Sequence, residues 1–575
     1  MKKLLLALAV VLLPLQVWGF NELDTELNKF YATNKVQIVN KPVDDYTFVR
    51  RIYLDLAGRI PTTEEIKAFV TSQHPNKKDL IIEKLIYTED YVNNFYNFWA
   101  DLLRIRPERL GDGIQMKSYP YIEYVRDFIR SDMPYDKFVE SLLTAKGKIT
   151  DNPASSYLIR DEGMALDNLA ITGQIFVGTN IACAQCHDDP FQDYSQKQFY
   201  ELAAFFNNTN RENRKDYRDV LKKVDDEIKA ITKADRIDNN VRQLLGSNLF
   251  NISDDPNKQL RLPHDYKYPD GKPNDVVVNA SLDGKVKDVK ENKRVAFAKW
   301  ITNNEKFSVT VSNRIWEELV GNNLFYPAPI TNIDLTASKN KDIAIFLGNY
   351  LEKNNYSLKS LIRLIVSSNF YSRPAYGGNI EGYQNQGIMI KRLNAYKMWD
   401  SVLSLIIDDP NYSKISFDKY AELFEIDWEK ANGQYMLDKV ASIRDYEKSL
   451  NDNFLKYKGI DLVRACFLLN RNNGFVGNFI KEFGASDRIL IDSGDNQGSI
   501  TQLLTLMNSP LMDIIADEKS QVIQAYKRER GNKDIIFVSI LGRPIGIFEK
   551  DLLYKLNEKD LIWVLLNTRE MLFRK

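Results

Sequence analysis

The sequence contains few of the residues that form disulfides and bind metals. Among 575 residues there are three cysteines and three histidines. A disulfide framework is therefore excluded, so a chain of this size depends on hydrophobic cores for its stability. Three histidines also leave few candidates for Ser-His-acid catalysis. The sequence has neither a glycine-rich phosphate loop nor a nucleophile elbow.

A net charge is missing as well, since 78 basic side chains balance 78 acidic ones. This balance predicts no nucleic-acid partner and gives no reason to expect binding to an anionic membrane. Neighbouring acids such as Asp188 and Asp189 point apart on a helix, which leaves glycoside hydrolysis by paired carboxylates without support. No catalytic set emerges, so the residues do not decide whether the protein is an enzyme.

Long apolar runs are missing outside the first residues. Lys2 and Lys3 precede the apolar run Leu4 to Leu13, and Val17-Trp18-Gly19 offers the small residues that signal peptidase accepts. We therefore predict a signal peptide over residues 1–19, cleavage near Gly19, and a periplasmic or secreted protein. The run is too short to span a bilayer, so no transmembrane anchor is expected after cleavage. A retained N-terminal anchor is the alternative.

The recurrent pattern along the chain is helical, with apolar residues three and four positions apart. Thr62 and Glu65 form a capping-box signature, and apolar stripes follow over Leu80 to Ile105, Ala165 to Val177 and Leu561 to Phe573. No alternating run is long enough to predict a large sheet. The fold class is therefore mainly α, with two helical domains joined by an irregular, polar, proline-containing connector.

The predicted domain layout follows from changes in composition. We expect a signal peptide (1–19), an N-terminal extension (20–43), a first helical domain (44–206), a charged connector (207–293) and a second helical domain (294–575). Within the connector we predict a charged helix near Tyr217 to Thr232, followed by irregular chain. The segment from Leu262 to Tyr268 is too aromatic for a free linker, so we expect it to be ordered.

The strongest motif is Cys183-Ala184-Gln185-Cys186-His187. At this spacing two thiols bond covalently to a haem while the imidazole that follows ligates its iron. We therefore predict haem c, held by Cys183 and Cys186 and ligated by His187. The apolar residues before and after the motif, in Ala165 to Val177 and from Phe199 to Phe206, would cover a porphyrin or serve equally well as plain core.

A second axial ligand is less clearly marked by the sequence. His74, His264 and Met164 are the candidates, and we favour His264 because the connector segment that carries it has the composition of a loop that folds back over the site. A surface histidine without a ligand role is the competing interpretation of His264.

Three other uses of the cysteine pair remain open. A reversible dithiol usually opens a helix after a strand, a context missing here. A zinc site would need Asp188, Asp189 or Asp193 to complete its ligands. A structural disulfide is the third use. The remaining cysteine, Cys466, lies among apolar residues and is predicted to be a small buried side chain.

Several segments together resemble a known family. In the first half they are Arg50 to Thr62 and Gly178 to Phe191; in the second half they are Arg294 to Trp300, Asn313 to Trp316, Leu358 to Tyr371, Leu506 to Pro510 and Leu541 to Pro544. Their order resembles the planctomycete-type cytochrome-like family of secreted bacterial proteins of unknown function. The resemblance implies two domains outside the cytoplasm, the first called cytochrome-like because of its Cys-x-x-Cys-His. It also implies a partner, a secreted sulfatase-like protein encoded nearby; the redox partner is unknown.

One position departs from this family. Relatives commonly read Cys-His-Asn-His or Cys-His-Asp-His, and Asp189 stands here in place of the second histidine. A carboxylate is a poor ligand for low-spin haem, which favours somewhat a different metal or a role without haem. In the second half, Asn313, Arg314, Trp316 and Arg543 are predicted to tie helices together rather than bind a ligand.

The sequence therefore predicts an exported protein with a c-type haem-like site. Its role would be electron transfer, or service as the redox module of an extracytoplasmic assembly. The alternative is a non-enzymatic envelope or secreted interaction protein that uses the cysteine pair as a disulfide or metal-binding staple.

Overall fold

The computed structural model describes residues 21–106, 118–161, 164–207, 209–212, 214–233, 238–249, 251–411, 417–468, 474–491, 494–495 and 497–575. The predicted signal peptide, residues 1–19, lies outside the described residues. Helices make up 57% of the structure and strands 4%, which confirms the predicted mainly α class. Among the described helices, none combines the length and the apolarity that crossing a membrane requires.

The helices of the first half and the connector are α1 (Glu22–Asn34), α2 (Asp45–Ile52), α3 (Thr63–Thr71), α4 (Lys77–Ile86), α5 (Glu89–Leu102), α6 (Tyr119–Ser131), α7 (Tyr135–Thr144), α8 (Ser156–Ile159), α9 (Ala165–Val177), α10 (Gln196–Ala203), α11 (Arg214–Thr232) and α12 (Asn239–Leu249). Those of the second half are α13 (Lys293–Thr302), α14 (Glu305–Val320), α15 (Lys341–Lys353), α16 (Leu358–Val366), α17 (Asn369–Ser372), α18 (Ala395–Ile406), α19 (Phe417–Phe424), α20 (Gly433–Asp452), α21 (Gly474–Glu482), α22 (Ile500–Asn508), α23 (Leu511–Ile515), α24 (Gln521–Arg528), α25 (Asp534–Leu541), α26 (Ile547–Leu553), α27 (Glu558–Leu566) and α28 (Arg569–Leu572).

Strands are short and paired antiparallel. They are β1 (Gly147–Lys148), β2 (Thr209–Glu212), β3 (Asn251–Asp254), β4 (Lys391–Arg392), β5 (Lys456–Tyr457), β6 (Ile460–Asp461) and β7 (Phe573–Arg574). β1, β3 and β2 form one sheet in that order, while β4 pairs with β7 and β5 with β6. A π-helical turn covers Tyr53–Ala57, and 3₁₀ turns cover Pro153–Ser155, Ala182–Gln185, Ile380–Gly382 and Ala465–Phe467.

Local sequence signals explain several helix boundaries. Thr62 and Glu65 form the predicted capping box at the start of α3, with both reciprocal hydrogen bonds present. The predicted stripe from Leu80 to Ile105 is divided between α4 and α5, because Thr88 caps a new helix by accepting from the backbone N–H of Tyr91. The predicted helix over Ala165–Val177 is confirmed as α9.

The segment predicted as an N-terminal extension takes part in the core. Leu23 and Leu27 of α1 are fully buried. The carboxylate of Asp24 accepts from the backbone N–H groups of Asn369 and Phe370, at 2.8 and 3.0 Å, where α17 begins. These carboxylate contacts satisfy amide groups at a helix start, so α1 supports an element of the second half.

The connector contains more regular structure than its composition predicts. The expected charged helix is confirmed as α11. The chain beyond it, predicted as irregular, forms α12 because Val241, Leu244 and Leu245 supply one buried apolar face. β2 and β3 then join β1 of the first half in one sheet, so the connector packs as part of the fold.

The described residues form two hydrophobic cores, and each core draws on both halves. The larger one includes Trp99 of α5 and Trp316 of α14. The smaller one packs Leu54 and Ile60 against second-half residues such as Trp399. Burial of large aromatic side chains dominates core energetics, so the two halves stabilise each other directly.

Buried ion pairs cross the same contact surface, which we call the junction. Arg464 pairs with Asp90, Arg488 with Asp101 at 2.7 Å, and Arg574 with Asp55 at 2.9 Å. The three arginines are nearly inaccessible to solvent. A buried charge must be paired and hydrogen-bonded, so these contacts fix how the halves meet.

Candidate functional site

The Cys183–His187 loop begins just after α9. Gly178 ends that helix with a φ of +50°, and a side chain there would meet the carbonyl oxygen of Ile330 at 2.8 Å. Glycine is therefore required on both conformational and steric grounds. The chain then forms the 3₁₀ turn Ala182–Gln185, with Ala184 fully buried beneath it. This buried alanine anchors the loop to the protein.

Both thiols and the imidazole of the motif lie in the same turn. The backbone N–H of Cys186 and that of His187 donate to the carbonyl oxygen of Cys183, at 3.3 and 3.4 Å. Cys183 and Cys186 are exposed free thiols, and His187 is also exposed. The turn therefore presents two thiols and one imidazole to the outside of the protein.

The imidazole of His187 is oriented by its own loop. Its Nδ1 lies 2.8 Å from the backbone carbonyl oxygen of Asp188. A carbonyl only accepts, so this contact assigns the proton to Nδ1 and leaves the lone pair on Nε2. That tautomer is the one an imidazole uses to ligate a metal through Nε2.

The connector holds the loop from the other side. The backbone N–H of Asp188 donates to the hydroxyl of Tyr268 at 2.9 Å. The carboxylate of Asp188 accepts from the backbone N–H of Gln196, at 2.8 Å, at the start of α10. The Tyr268 contact was not predicted, although the aromatic composition around Tyr268 indicates that this segment is ordered.

His264 belongs to the connector segment that packs against the loop. It is exposed, between buried Leu262 and buried Tyr266. Burial raises the pKa of Tyr200, and the nearby groups of Cys186 and Asp265 raise it further. The hydrogen bond from Asp188 to Tyr268, four residues after His264, is the contact that holds the His264 segment against the loop.

The two other candidate ligands lie elsewhere. Met164 precedes α9, whose 13 residues extend about 20 Å along the helix axis, so Met164 lies at the end remote from the motif. His74 is exposed in the turn between α3 and α4, where its Nδ1 accepts from the backbone N–H of Asn76 at 3.1 Å.

Asp189 has a local structural role. Its carboxylate accepts from the backbone N–H groups of Phe191 and Gln192, at 2.8 and 3.2 Å, and so closes the turn after the motif. Across the part of the chain that the structure describes, no three His, Cys, Asp or Glu side chains gather closely enough to hold a metal ion. The zinc arrangement considered from the sequence is thus not assembled among the described residues.

The residues of the loop fit the covalent attachment of haem. The apolar residues expected to cover the haem belong instead to the protein core. The two exposed thiols are the groups that covalent attachment needs. The imidazole, with its proton on Nδ1, is the group that ligates the iron. Phe199, Phe205 and Phe206 are at most 1% exposed and belong to the larger core. Phe191, by contrast, is 88% exposed beside the motif. A haem held here would therefore lie on the protein surface.

Comparison with known families identifies both halves of the chain. Residues 23–211 match PSCyt2, described as a protein of unknown function (DUF1549), and residues 293–556 match PSD1, described as a protein of unknown function (DUF1553). The chain joins a PSCyt2 domain to a PSD1 domain. Neither the curated proteins nor the solved structures provide a match to it. The Cys183–His187 loop lies in the PSCyt2 domain, and α1 is included in the match.

The motif residues of the PSD1 domain have structural roles. Asn313 and Trp316 are fully buried, and Trp316 stacks on Phe370 with ring centroids 5.2 Å apart. Arg314 donates to the carbonyl oxygen of Gln174 at 3.0 Å, which ties α14 to α9 of the PSCyt2 domain. The prediction that these residues connect helices is in line with these contacts. Cys466 is buried as predicted, and burial raises the pKa of its thiol to about 12.

Proposed function

We propose that the Cys183–His187 loop holds one covalent c-type haem and that the protein transfers electrons outside the cytoplasm, alone or as the redox module of an assembly. The observation that carries this proposal is the contact between His187 Nδ1 and the carbonyl oxygen of Asp188, which leaves Nε2 available for iron. Haem supplies reversible one-electron chemistry when it is bound.

The roles of the residues follow from their chemistry. The thiols of Cys183 and Cys186 would hold the haem through thioether bonds to its two vinyl groups, an addition that needs no external oxidant. His187 would ligate the iron through Nε2. His264, on the connector segment that packs against the loop, is the second ligand that we propose. The exposure of the loop favours electron exchange with a separate redox partner.

The proposed location and partner rest on sequence features. The N-terminal segment has the pattern of an export signal, which agrees with covalent haem attachment outside the bacterial cytoplasm. The resemblance stated above adds a secreted sulfatase-like protein as the expected partner. We propose a periplasmic or secreted protein on these grounds.

The decisive experiment is expression together with a functioning haem-attachment system. We expect a Soret band that survives denaturation and acid extraction, because thioether bonds are covalent. Cys183→Ala and Cys186→Ala should each weaken covalent retention, and the double variant should abolish it. Cys466→Ala is the matched control and should keep the colour, since that thiol is buried away from the loop. A colourless wild-type protein would overturn the proposal.

The axial ligands are tested separately. His187→Ala should retain covalent haem and change its spectrum, because the thiols remain while the proximal ligand is lost. His264→Ala should shift the spectrum less. His74→Ala is the control for removal of an exposed histidine and should leave the spectrum unchanged.

A second candidate function is favoured by the burial of the apolar residues around the motif. Because Phe199, Phe205 and Phe206 are core residues, the loop has little apolar material left to enclose a porphyrin. In this case the protein is a non-enzymatic interaction protein, and Cys183 and Cys186 form a disulfide staple in an oxidising compartment. A colourless protein that loses stability on Cys183→Ala, with no free thiol at that pair, would support this candidate.

A further inference from the structure

An open groove lies between α21 and α22, and none of its lining residues belongs to the Cys183–His187 loop. We call it the α21/α22 groove. Its volume is about 380 Å³, which falls within the range of about 300–1,000 Å³ that small-molecule sites occupy. Both walls lie within the residues matched to PSD1. The groove is therefore large enough to hold a small ligand, independently of the haem proposal.

One wall of the groove is a single face of α21. Its lining residues are Phe475, Asn478, Phe479 and Glu482. They stand three and four positions apart, so they form one stripe along the helix. Phe479 is buried and Phe475 is half-buried, whereas Asn478 and Glu482 are exposed. This wall therefore combines two aromatic rings with an amide and a carboxylate.

The opposite wall is a single face of α22. Its lining residues are Thr501, Leu504, Thr505 and Asn508, which have the same spacing as those on α21. Thr501 and Asn508 are exposed, and Leu504 is half-exposed. This wall therefore adds two hydroxyls and a second amide around one apolar side chain.

The groove also gives a place to one of the motifs of the second half. The segment from Leu506 to Pro510 contributes Asn508 and Ser509 to the lining. Leu506 is buried in the smaller core, and Pro510 stands at the start of α23. Packing and the helix boundary account for the leucine and the proline. The amide and the hydroxyl between them line the groove instead of the core.

Hydrogen bonds and ring stacking hold the two walls in place. Buried Gln502 of α22 donates through Nε2 to the backbone carbonyl oxygen of Glu482 at 3.0 Å. The hydroxyl of Thr505 donates to the carboxylate of Glu482 at 2.7 Å. Below the groove, Phe479 stacks on Phe483 with ring centroids 4.3 Å apart. The walls are thus ordered before a ligand binds, which lowers the entropic cost of binding.

The lining restricts the chemistry of the ligand. No lysine or arginine is among the described residues that line the groove, whereas the carboxylate of Glu482 is. An anion would meet this negative charge without a compensating cation, so the groove disfavours sulfated and phosphorylated ligands. The amides and hydroxyls disfavour a purely apolar ligand, which would leave them without partners. A helix is too large, since one turn with its side chains occupies about 400 Å³ or more.

We propose that the α21/α22 groove binds a neutral saccharide of one or two rings, either free or at the end of a longer glycan. Each sugar hydroxyl both donates and accepts, so it pairs with the amides of Asn478 and Asn508 and with the carboxylate of Glu482. The apolar C–H face of the sugar ring packs on Phe475 and Leu504. The open side of the groove lets a longer glycan continue into solvent.

Binding is measured by saturation-transfer NMR titration of the full chain with glucose, galactose, mannose, N-acetylglucosamine, cellobiose, maltose and chitobiose. We expect saturable binding of at least one of them with a Kd of about 0.1–10 mM, because each new hydrogen bond replaces one with water. Sorbitol, a polyol without a ring, is the control and should bind more weakly. Tighter binding of cellotetraose or maltotetraose than of the disaccharide assigns the groove to a longer glycan; equal binding assigns it to a free small sugar.

Two results would overturn the proposal. One is the absence of saturable binding of every sugar up to about 50 mM. The other is binding of a neutral capped tetraalanine peptide in the absence of sugar binding, which would assign the groove to an extended peptide.

Asn478→Leu and Asn508→Leu locate the ligand, because each removes the amide from one wall and keeps a side chain of similar size. Each should weaken binding about threefold to tenfold, since one or two hydrogen bonds to the sugar are lost. Both positions are exposed, so the fold should tolerate the changes.

Asn34→Leu is the matched control for these variants. Asn34 is exposed and is the last residue of α1, as Asn508 is of α22, and it is not part of the groove lining. It should bind sugar as the wild type does. Unchanged affinity in either groove variant, or equal weakening in Asn34→Leu, would contradict the assignment of the ligand to this groove.

Discussion

The Cys183–His187 loop and the junction differ in almost every physical respect. The loop is exposed, its chemistry comes from five consecutive residues, and it lies within one family domain. The junction is formed by side chains separated by up to 519 positions in sequence, such as the buried pair Asp55 and Arg574. The loop can therefore change without a large effect on the fold, whereas the junction depends on the whole chain being folded.

The loop thus presents reactive groups to solvent, whereas the junction encloses charged groups in the interior. An exposed group interacts with solvent at little cost, so its removal mainly affects function. A buried charge is stabilised only by specific partners, so the removal of one partner destabilises the fold. The following predictions test this contrast, starting with the largest expected effect.

Asp55→Ala should destabilise the protein by about 3–5 kcal/mol, because it leaves the buried guanidinium of Arg574 without its ion-pair partner. Tyr371 also loses the acceptor for its hydroxyl. Asp188→Ala in the loop is the matched change. It should lower the free energy of unfolding by about 1 kcal/mol or less, since that carboxylate is exposed. Free energies of unfolding from urea titration compare the two, and similar losses would remove the contrast.

Acid should weaken the junction through Asp90. Burial alone raises the pKa of this carboxyl group, but Arg59 and Arg464 outweigh burial and lower it from 3.8 to about 2. Because the folded-state pKa is depressed, this stabilisation is present above pH 4 and disappears as the pH falls from about 4 to about 2. The loss should reach about 2 kcal/mol.

The test of the acid effect is Asp90→Asn. This variant should be less stable than the wild type at pH 7, and its stability should fall less steeply between pH 4 and pH 2. Asp513→Asn removes an exposed carboxylate that pairs with Lys559, and because that pair is exposed it should change the profile far less than Asp90→Asn does. If stability falls with pH in parallel for the wild type and Asp90→Asn, Asp90 is excluded as the source of the acid sensitivity.

Gly542→Ala should destabilise the protein by about 1–3 kcal/mol, since it forces a positive φ on alanine and brings a methyl group to 3.1 Å from Arg50. Gly459→Ala is a close control, because Gly459 has a φ of +81° and no atom within 4 Å of the added methyl group. The Gly459→Ala variant should show only the destabilisation that comes from the positive φ. Equal shifts in the midpoint of urea unfolding would mean that the contact with Arg50 contributes nothing.

The smallest expected effect concerns the loop. Tyr268→Phe removes the hydroxyl that accepts from the backbone N–H of Asp188 and should cost about 1 kcal/mol or less. In haem-free protein it should also raise the rate at which iodoacetamide modifies Cys183 and Cys186. Tyr376→Phe, which removes a different exposed hydroxyl, is the control. An unchanged rate would show that Tyr268 does not restrain the loop.

Sequence patterns predicted the local features of the structure well. The capping box at Thr62, the helix over Ala165–Val177 and the burial of Cys466 all follow from short-range signals and are confirmed. The break at Thr88 and the helix α12 were missed, because a cap inside a continuous apolar stripe and a short helix in a polar segment are weak signals. The haem assignment itself stays a prediction.

The burial of Arg50 and Arg51 could not be derived from the sequence. Arg50 and Arg51 look like ordinary charged residues of an amphipathic helix, and their burial depends on carbonyl groups contributed by residues 371–373, 540 and 570–575. A pattern read along the chain contains no information on which distant carbonyls will meet a given guanidinium group. Only the packing of one half against the other brings them together.

The separation between Arg50 and its carbonyl partner Ile540 has a consequence for biosynthesis. The two residues are 490 positions apart. At typical rates of translation, the ribosome needs roughly 25 to 100 s to make the intervening chain. Before that interval ends the PSCyt2 domain has been completed, while Arg50, Arg51 and Leu54 still lack the surface that will cover them. The nascent chain therefore passes through an incomplete state that is a natural substrate for chaperones.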